Sequence, residues 1–283
     1  MKWVFLYKNH FKYSNINVRL SNGGDMIELY NLCAGYGKKE ILHNISLSFK
    51  QGKIYALIGA NGCGKSTLLK ALLRIVPYTK GSIFISSKNI TLYKQNELAK
   101  KIAYVSQGKK PPDISVLRMV LHGRFAYLGY SRKYQKEDYV MARKALEWAG
   151  LSELEEENVS RLSGGMQQKV YIAMALAQDA ETILMDEPTT YLDISHQLRL
   201  MEMARKLANQ GKCVIMVLHD LSQALRIADE IIVMKNGQII DVGTPKQVYQ
   251  NGKIQEAFGV ELEQIETVSG SHFIPVFDKT GIK

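Results

Sequence analysis

The sequence predicts an α/β fold: a core of buried strands and helices, joined to an antiparallel β subdomain and a helical insert. Three observations support this fold class. A glycine-rich loop at 59–67 stands between an apolar run of strand length and a helix-forming run. Residues 27–49 contain runs of alternating apolar and polar side chains, as half-buried antiparallel strands do. A stretch of about forty residues, 113–150, then carries helical periodicity between strands.

The glycine-rich loop has the spacing of a phosphate-binding loop, in which two glycines separated by four residues precede Lys and then Ser or Thr. Glycines bring backbone N–H groups close to an anion, and the helix that follows adds its positive end. Lys65 can reach terminal phosphates, and the Ser66 hydroxyl can ligate Mg²⁺. The competing interpretation is a glycine-rich turn that matches by chance. The loop consists of Gly59, Ala60, Asn61, Gly62, Cys63, Gly64, Lys65, Ser66 and Thr67.

Residues 1–25 are predicted to be an N-terminal extension, because they show no clear period and end in a Ser-Asn-Gly-Gly run. The alternative is an ordered N-terminal arm. Met26 opens the first alternating strand and is the expected true start. Further along, Tyr36 stands between two glycines, where its ring is accessible and can stack on a flat base. An ordinary turn tyrosine is the alternative at that position.

Beyond the loop and its helix, residues 77–81 are predicted to form a turn into a strand at 82–85. A further strand at 102–105 leads to Gln107, in a loop marked by glycine and prolines.

The helical stretch begins at a cap supplied by Asp113 or Ser115. A second helix, near 137–149, is predicted to end at Gly150. Apolar and small residues at helical spacing mark the face of the first helix: Val116, Met119, Val120 and Gly123. The stretch is therefore predicted to form a separate lobe.

A serine and two glycines open the next predicted helix, in the sequence Leu-Ser-Gly-Gly-Met at 162–166. Ser163 is a good cap, and Gly164 and Gly165 leave the helix N-terminus open to an anion. An ordinary capped helix is the alternative.

Two adjacent carboxylates, Asp186 and Glu187, follow a buried-type strand at 182–185. At the tip of such a strand, Asp186 would hold Mg²⁺ directly or through water, and Glu187 would orient or deprotonate an attacking water. Pro188 ends the strand at this point, which argues against two ordinary surface acids.

Another buried strand, 213–218, ends at His219. A histidine at a strand tip is as often structural as functional, but ligands of α/β sheets bind at the carboxyl ends of strands, which favours function here. Asn236 and Gly237 predict a hairpin, and residues 269–271 are expected to turn a last hairpin that ends near 274–276.

Composition restricts the class of protein. The 283 residues are 46% hydrophobic and 23% charged, which is ordinary for a globular protein. No apolar run reaches the ~18–20 residues of a membrane span. The apolar run near the start of the chain is too short to be the core of a secretory signal peptide. Three widely spaced cysteines make neither a disulfide framework nor a metal site, and a reducing cytosol is the simplest compartment.

The net charge of +10 is uneven, with 25 Lys and Arg against 8 Asp and Glu in residues 1–150, and 12 against 19 afterwards. A basic first half could attract nucleic acid or an anionic membrane. Solvated faces around an anionic nucleotide site are the preferred interpretation, since no platform of aromatic and basic residues stands out.

From 27 to about 276 the chain resembles the ATP-binding cassette (ABC) ATPases. It has the motifs of that family in the family's order. They are an aromatic residue (Tyr36), the phosphate loop, a glutamine loop (Gln107), the signature (162–166), the paired acids (Asp186 and Glu187), an aspartate loop (Asp193) and a switch histidine (His219). The resemblance implies a P-loop NTPase core of ABC type at 26–283, with a helical subdomain inserted at about 108–165 and a short C-terminal extension at about 256–283.

The resemblance also implies a mechanism in which two copies of the chain sandwich two ATP molecules head to tail. Ser163, Gly164 and Gly165 of one copy would face the γ-phosphate held by the phosphate loop of the other. Tyr36 would stack on adenine. Ser66, Gln107 and Asp186 would bind the metal. Glu187, His219 and Lys65 would be catalytic. Asp193 would also contribute to ATP binding.

One residue departs from the family pattern, which usually has glutamine at the fifth position of the signature. Here that position is Met166, and Gln167 and Gln168 follow it. Because the serine and glycines contact phosphate, activity is expected to survive.

Several segments look like the ATPase subunits of iron-siderophore, haem and cobalamin importers. They are residues 189–197, 218–221 with 223–224, 173–178 and 122–124. Ferric siderophore import is the expected function, and haem or cobalamin import is the alternative. The implied partners are membrane permease subunits, a second copy of the chain and, indirectly, an extracytoplasmic substrate-binding protein, at the cytoplasmic face of the membrane.

Other functions are less favoured. ABC ATPases of DNA repair carry a long coiled coil between the loop and the signature, where this chain has about a hundred residues without heptads. Translation-type relatives carry two cassettes, and this chain has one phosphate loop. No nucleic acid partner is expected. A catalytically dead binding module is disfavoured by the presence of Lys65, Asp186, Glu187 and His219, and an exporter half by the lack of a fused membrane span.

Overall fold

The computed structural model describes residues 25–106, 111–129, 132–190, 192–267 and 270–276. The predicted extension, apart from Asp25, and Gln107 lie outside these ranges. In chain order the strands are β1 (Ile27–Tyr36), β2 (Lys39–Phe49), β3 (Ile54–Ile58), β4 (Tyr78–Ile85), β5 (Lys88–Asn89), β6 (Ile102–Val105), β7 (Thr182–Asp186), β8 (Cys213–Val217), β9 (Glu230–Lys235), β10 (Gln238–Gly243), β11 (Glu261–Thr267) and β12 (Gly270–Val276). The helices are α1 (Lys65–Leu72), α2 (Gln95–Lys101), α3 (Val116–Leu121), α4 (Lys136–Ala149), α5 (Gly164–Ala177), α6 (Ile194–Asn209), α7 (Leu221–Ile227), α8 (Pro245–Gln250) and α9 (Lys253–Phe258).

The central sheet has the strand order β10-β9-β3-β8-β7-β6. Its strands are parallel except for β10, which pairs antiparallel with β9. Every residue of β3, β7 and β8 is buried, which explains why these segments are nearly continuous apolar runs. Because the strands are parallel, the loops after β3, β6, β7 and β8 all leave the same edge of the sheet.

The second sheet, β2-β1-β4-β5, is antiparallel, as predicted. The predicted turn at 77–81 is wrong, because β4 begins at Tyr78 and runs through it. Gly81 has a φ of 86°, and a side chain there would meet the Tyr30 carbonyl oxygen at 2.4 Å. The pairing of β4 with β1 shifts register at this place, so the glycine marks a bulge within the strand instead of a chain reversal.

The predicted helical stretch forms a lobe in which α3, α4 and α5 pack around their own apolar cluster. Val116, Val120 and Leu146 are fully buried in it. The lobe is inserted between β6 and β7, and its helix α5 also packs on the central sheet, because Ile172 and Ala175 belong to the same apolar cluster as Ala103 of β6.

Local capping decides where the helices of the lobe begin and end. Ser115 caps α3, since its Oγ accepts a hydrogen bond from the Arg118 N–H at 3.4 Å. Asp113, the alternative cap, instead accepts from Asn158 Nδ2 at 2.6 Å. Gly150 follows α4 with a φ of 66° and ends that helix, as predicted.

A buried ion pair in the lobe carries a testable consequence. Arg124 Nε donates to Asp138 Oδ1 at 3.1 Å, and their side chains are only 9% and 7% exposed. Arg124 also donates to the Ala177 carbonyl at the end of α5. We expect Arg124→Ala to lower the free energy of unfolding by about 3–5 kcal/mol, because Asp138 is then buried without its cation. Urea unfolding measures this change.

An exposed pair in the same lobe supplies the control. Arg143 Nε donates to Glu155 Oε2 at 3.0 Å, but the arginine side chain is 57% exposed. Arg143→Ala is expected to leave the urea midpoint almost unchanged, since exposed ion pairs contribute little. Equal shifts of the urea midpoint in Arg124→Ala and Arg143→Ala would mean that burial of the ion pair does not decide the loss of stability.

The C-terminal part contains both predicted hairpins. Asn236 and Gly237, with φ of 48° and 76°, connect β9 and β10. β11 pairs antiparallel with β12, although Ser269 of its predicted turn lies outside the described residues. β12 packs on α7, where Ser222 Oγ donates to the Phe273 carbonyl at 3.1 Å.

In the parts of the chain that the structure describes, no helix is both long and apolar enough to cross a membrane. Cys33, Cys63 and Cys213 are buried free thiols.

Candidate functional site

Three of the predicted motifs meet at one edge of the central sheet. β3 ends at the glycine loop, β7 ends at Asp186, and β8 leads to His219. The parallel pairing of β3 with β8 and of β8 with β7 brings these ends together across the sheet. The residues that follow the strands are therefore neighbours in space although the chain separates them widely.

The glycine loop follows a path that requires glycine. Gly59 has a φ of 151°, and a side chain there would meet the Met234 carbonyl oxygen at 2.2 Å. The Gly237 N–H donates to the Cys63 carbonyl at 2.9 Å, so the β9–β10 hairpin supports the loop. Among the described residues, no acceptor meets the backbone N–H groups of Lys65 and Ser66, which open α1. These donors, together with the helix dipole, favour an anion.

Lys65 supplies the positive charge of the loop. Its ammonium donates to the Gly59 carbonyl at 2.7 Å and to the Ala60 carbonyl at 3.2 Å, and only 5% of the residue is exposed. These bonds fold the side chain back over the loop. The ammonium also lies 3.9 Å from Cys63 Sγ. A buried charge held by neutral groups gains from the approach of an anion, because Coulomb attraction is strong where water is scarce.

Ser66, Asp186 and Tyr104 form a hydrogen-bonded group beside the lysine. Ser66 Oγ donates to Asp186 Oδ1 at 2.9 Å, and Tyr104 donates its phenol to Asp186 Oδ2 at 3.0 Å. Burial raises the pKa of Tyr104, and the neighbouring Asp186 raises it further, so the phenol keeps its proton. A hydroxyl and a carboxylate at this separation offer the oxygen ligands that Mg²⁺ prefers.

Glu187 and His219 face each other at the ends of β7 and β8. Glu187 Oε1 lies 2.6 Å from His219 Nε2, and the Glu187 side chain is 17% exposed. Glu187 has a φ of 51°, in the left-handed region that a bulky residue rarely adopts, and its N–H donates to the Val217 carbonyl. Such backbone strain persists where the surroundings impose it, and is often found at functional sites.

Tyr36 lies at the end of β1, and half of its surface is exposed. β1 and β2 both contact α1, the helix that follows the glycine loop. The tyrosine ring is thus accessible on the sheet next to the loop, and its stacking on a base stays a prediction. Gln107, predicted to bind metal and nucleotide, lies outside the described residues.

The signature residues lie apart from the loop, in the helical lobe. Ser163 caps α5, with its Oγ accepting from the Met166 N–H at 3.4 Å, and Gly164 and Gly165 form the first turn. No hydrogen bond or ion pair within the described ranges joins 163–165 to the glycine loop. Ser163, Gly164 and Gly165 thus lie at the start of α5, whereas the glycine loop lies between β3 and α1.

Asp193 caps α6, just after the segment that follows Glu187. Its carboxylate accepts from the backbone N–H and the ring of His196 and from Ser195 Oγ, each at 2.9 Å. These bonds, that of the His196 N–H first, hold the pKa of Asp193 well below its usual range. The aspartate stays ionised and serves locally as a helix cap.

The structure explains the methionine in the signature. Met166 is partly buried against the apolar cluster of the lobe, and the next residue, Gln167, donates its amide to the Leu162 carbonyl at 2.8 Å. An amide thus holds the segment before α5, although one position later than the family pattern has glutamine.

We expect Met166→Gln to change ATP turnover by less than about threefold, and to lower stability by about 1 kcal/mol through lost apolar burial. The serine and the glycines keep their places, which is why the effect is small. Steady-state phosphate release and urea unfolding measure the two quantities. Complete loss of turnover in a folded variant would mean that Met166 has a specific role.

Two residues of the site were missed from the sequence. Tyr104 was assigned only to a strand, and its contact with Asp186 joins two strands 82 positions apart. β6 is an apolar run in which only Tyr104 is partly exposed, and the sequence gives no signal for its partner. His196 belongs to a segment of the importer resemblance; its bonds to Asp193 are local, whereas its contact with Gly165 depends on how α6 packs on α5.

A family model described as ABC transporter matches residues 42–190. The chain is 36% identical to the ferric enterobactin transport ATP-binding protein FepC of Escherichia coli (strain K12) over 252 residues, which are 88% of this chain and 93% of that one. It is 38% identical to the iron(3+)-hydroxamate import ATP-binding protein FhuC of Bacillus subtilis (strain 168) over 231 residues, which are 81% of this chain and 86% of the relative.

Solved structures agree with this likeness. A chain of an inward-facing ABC transporter assigned to the metal-chelate type superposes with a TM-score of 0.78 at 28% identity, over 91% of this chain and 99% of that one. An ATP-binding cassette of an ABC transporter in its ADP conformation gives a TM-score of 0.74 at 27% identity, over 83% and 98%. The fold predicted from the motifs is therefore confirmed.

Proposed function

The chain belongs to the ABC transporter family as an ATP-binding protein, and we propose that it is the ATP-hydrolysing subunit that energises a membrane importer of ferric siderophores. The observation that carries the ATPase part is the convergence of a buried ammonium, a Ser–Asp pair and a Glu–His pair on one edge of the central sheet. These groups are Lys65, Ser66 with Asp186, and Glu187 with His219.

Binding of the phosphates is proposed for the loop at 59–67 and its lysine. The two N–H groups that open α1 would donate to phosphate oxygens, and the ammonium of Lys65 would turn from its loop carbonyls to the terminal phosphates. Tyr36 would stack on adenine with its exposed ring. The cost of moving the ammonium is small, because it exchanges carbonyl dipoles for full negative charges.

Hydrolysis is proposed for Glu187 and His219. Glu187 would accept a proton from the attacking water, and His219 would donate a hydrogen bond to the terminal phosphate. Their contact at 2.6 Å orients the imidazole, so that the carboxylate and the ring are positioned together. The Glu187 side chain is 17% exposed, so an attacking water could reach its carboxylate.

Mg²⁺ fits the donor set of this site. Ser66, Asp186 and Gln107 would hold it, and the Ser66 hydroxyl and Asp186 carboxylate already lie side by side. When bound, the ion would neutralise charge on the phosphate oxygens. Tyr104 keeps one Asp186 oxygen occupied by a hydrogen bond and so orients the carboxylate.

A second copy of the chain is part of the proposal. We propose a head-to-tail pair in which Ser163, Gly164 and Gly165 of the partner complete each site, because the signature lies in the helical lobe and the glycine loop at the edge of the central sheet. The further partners that we propose are membrane permease subunits and, indirectly, an extracytoplasmic binding protein, at the cytoplasmic face of the membrane. The division into a domain at 26–283, a helical insert at about 108–165 and an extension at about 256–283 belongs to the same proposal.

Ferric siderophores are proposed as the cargo because two relatives are named for ferric enterobactin transport and for iron(3+)-hydroxamate import. Haem and cobalamin remain the alternative cargoes. The nucleotide site does not touch the cargo, so the choice of compound lies in the permease and the binding protein.

The test is uptake by the source cells with Glu187→Gln in place of the parent chain. Iron is limiting, and cells receive hydroxamate siderophore, catecholate siderophore, haem or cobalamin separately. Loss of uptake of one siderophore supports the proposal. Loss of uptake of haem or cobalamin alone would instead identify that compound as the cargo. A strain carrying Glu202→Gln, an exposed acid of α6, is the control. Unimpaired growth on every supply, with no permease co-purifying, would contradict the importer function.

A further inference from the structure

His196 occupies a place that the proposed mechanism does not use. It lies in the first turn of α6 and is 25% exposed. Its ring Nδ1 is 2.9 Å from both carboxylate oxygens of Asp193. Because Asp193 is held ionised and can only accept, the ring presents a hydrogen at Nδ1.

The other side of the ring packs on the signature. A side-chain carbon built at Gly165 would lie 3.3 Å from His196 Cδ2 and 3.4 Å from both Cγ and Nε2. Nearly equal distances to three ring atoms place this point over the ring. The ring therefore covers the Cα of Gly165 and leaves no comfortable room for a side chain there.

These two contacts make the ring a spacer between two segments. Asp193 begins α6, and Gly165 lies in the first turn of α5, in the helical lobe. The segments are joined through a rigid aromatic ring instead of a flexible side chain, so the distance between them is well defined. The two helices also share a buried apolar cluster that contains Ile172 of α5 and Leu200 of α6, with Met203 packed against it. The same residues, together with His196 and Gly165, line a small groove between the helices.

We propose that His196 is a positioning residue that holds Asp193 and the signature as one unit, so that both reach the second copy's nucleotide together. The inference rests on the proposed function, because it concerns the surface, formed by Asp193 and the signature, that one copy would present to the nucleotide of the other. His196 touches no reacting atom in this arrangement. It acts through Asp193, which it orients, and through Gly165, which it supports.

Substitutions can separate the two contacts. His196→Phe keeps a ring over Gly165 but loses the donor to Asp193. His196→Asn keeps an amide donor near the Nδ1 position but loses the ring, and His196→Ala loses both. Ser195→Ala is the matched control, because it removes a hydrogen bond to the same carboxylate without touching Gly165.

The first measurement is amide hydrogen exchange of the nucleotide-free chain, which does not depend on the proposed function. His196→Ala is expected to speed exchange about tenfold in peptides that cover 163–170 and 192–197, because local opening becomes easier. His196→Phe should restore slow exchange at 163–170, and His196→Asn at 192–197. Unchanged exchange in His196→Ala, or equal acceleration in Ser195→Ala, would overturn the positioning role.

The second measurement is ATP turnover and ATP-dependent dimer formation. His196→Ala is expected to lower kcat about tenfold while the affinity of the single chain for ATP is unchanged, and the Phe and Asn variants should lie between it and the parent. In a Glu187→Gln background the alanine variant should weaken the dimer. If Glu187→Gln itself forms no dimer with ATP, the proposed function fails; if it does and His196→Ala leaves both kcat and the dimer intact, only this inference fails.

Discussion

Lys65→Ala is expected to reduce ATP turnover to background, a loss of at least about a hundredfold. The ammonium is the only side-chain charge within the loop 59–67, and 5% exposure leaves little water to take its place. Without it, the negative charge that develops on the transferred phosphate has no fixed partner at the loop. Phosphate release at saturating ATP measures the effect, and a fluorescent ATP analogue measures the accompanying loss of affinity.

The control for this variant is Lys70→Ala, which removes a lysine from the last turn of the same helix, α1. It is expected to keep nearly full ATP turnover. That result would show that loss of a positive charge elsewhere on α1 does not by itself reduce turnover. Thermal unfolding of both variants checks that the loop has not collapsed, since Lys65 also bonds to Gly59 and Ala60. If Lys65→Ala hydrolysed ATP near the parent rate, the assignment of the loop at 59–67 to phosphate binding would be wrong.

Glu187→Gln is expected to bind ATP normally but to hydrolyse it about a hundred- to ten-thousandfold more slowly. Glutamine has the same shape and can still hydrogen-bond to His219 at the present distance of 2.6 Å. It cannot accept the proton of an attacking water. ATP should therefore persist between two copies of the chain, and gel filtration with ATP and Mg²⁺ should show a stable dimer.

The same substitution at Glu202, an exposed acid on α6, is the control and should leave both turnover and elution volume unchanged. A Glu187→Gln chain that hydrolyses ATP at the parent rate would exclude Glu187 as the base. A slow variant that stays monomeric with ATP would keep the catalytic assignment but contradict the sandwich of two copies.

Much of the fold could be predicted because its signals are local. A continuous apolar run identifies β3, alternation identifies β2, and Ser163 and Gly150 mark helix ends through bonds and torsions within a few residues. The candidate site residues were likewise predicted from motifs, which are local signals. Each motif lies directly after a strand or at the start of a helix, where its chemistry is set by neighbouring residues.

The turn predicted at 77–81 shows where such signals fail. Proline and glycine within five residues are typical of a turn, but the ladder of hydrogen bonds to β1 continues through Gly81 with a bulge. Pairing over a whole strand outweighs the local preference of a few residues. The information for that pairing lies on β1, about fifty residues earlier.

The sequence by itself determined the class of fold, the order of the motifs and the chemistry of each strand-end residue, because periodicity, caps and residue type act over short distances. Only the tertiary structure decided which residues meet: Ser66 with Asp186, Tyr104 with the same carboxylate, and His196 with Gly165. These contacts join residues 120, 82 and 31 positions apart. They depend on strand order and helix packing, which arise from burial of the whole core and leave no local trace in the chain.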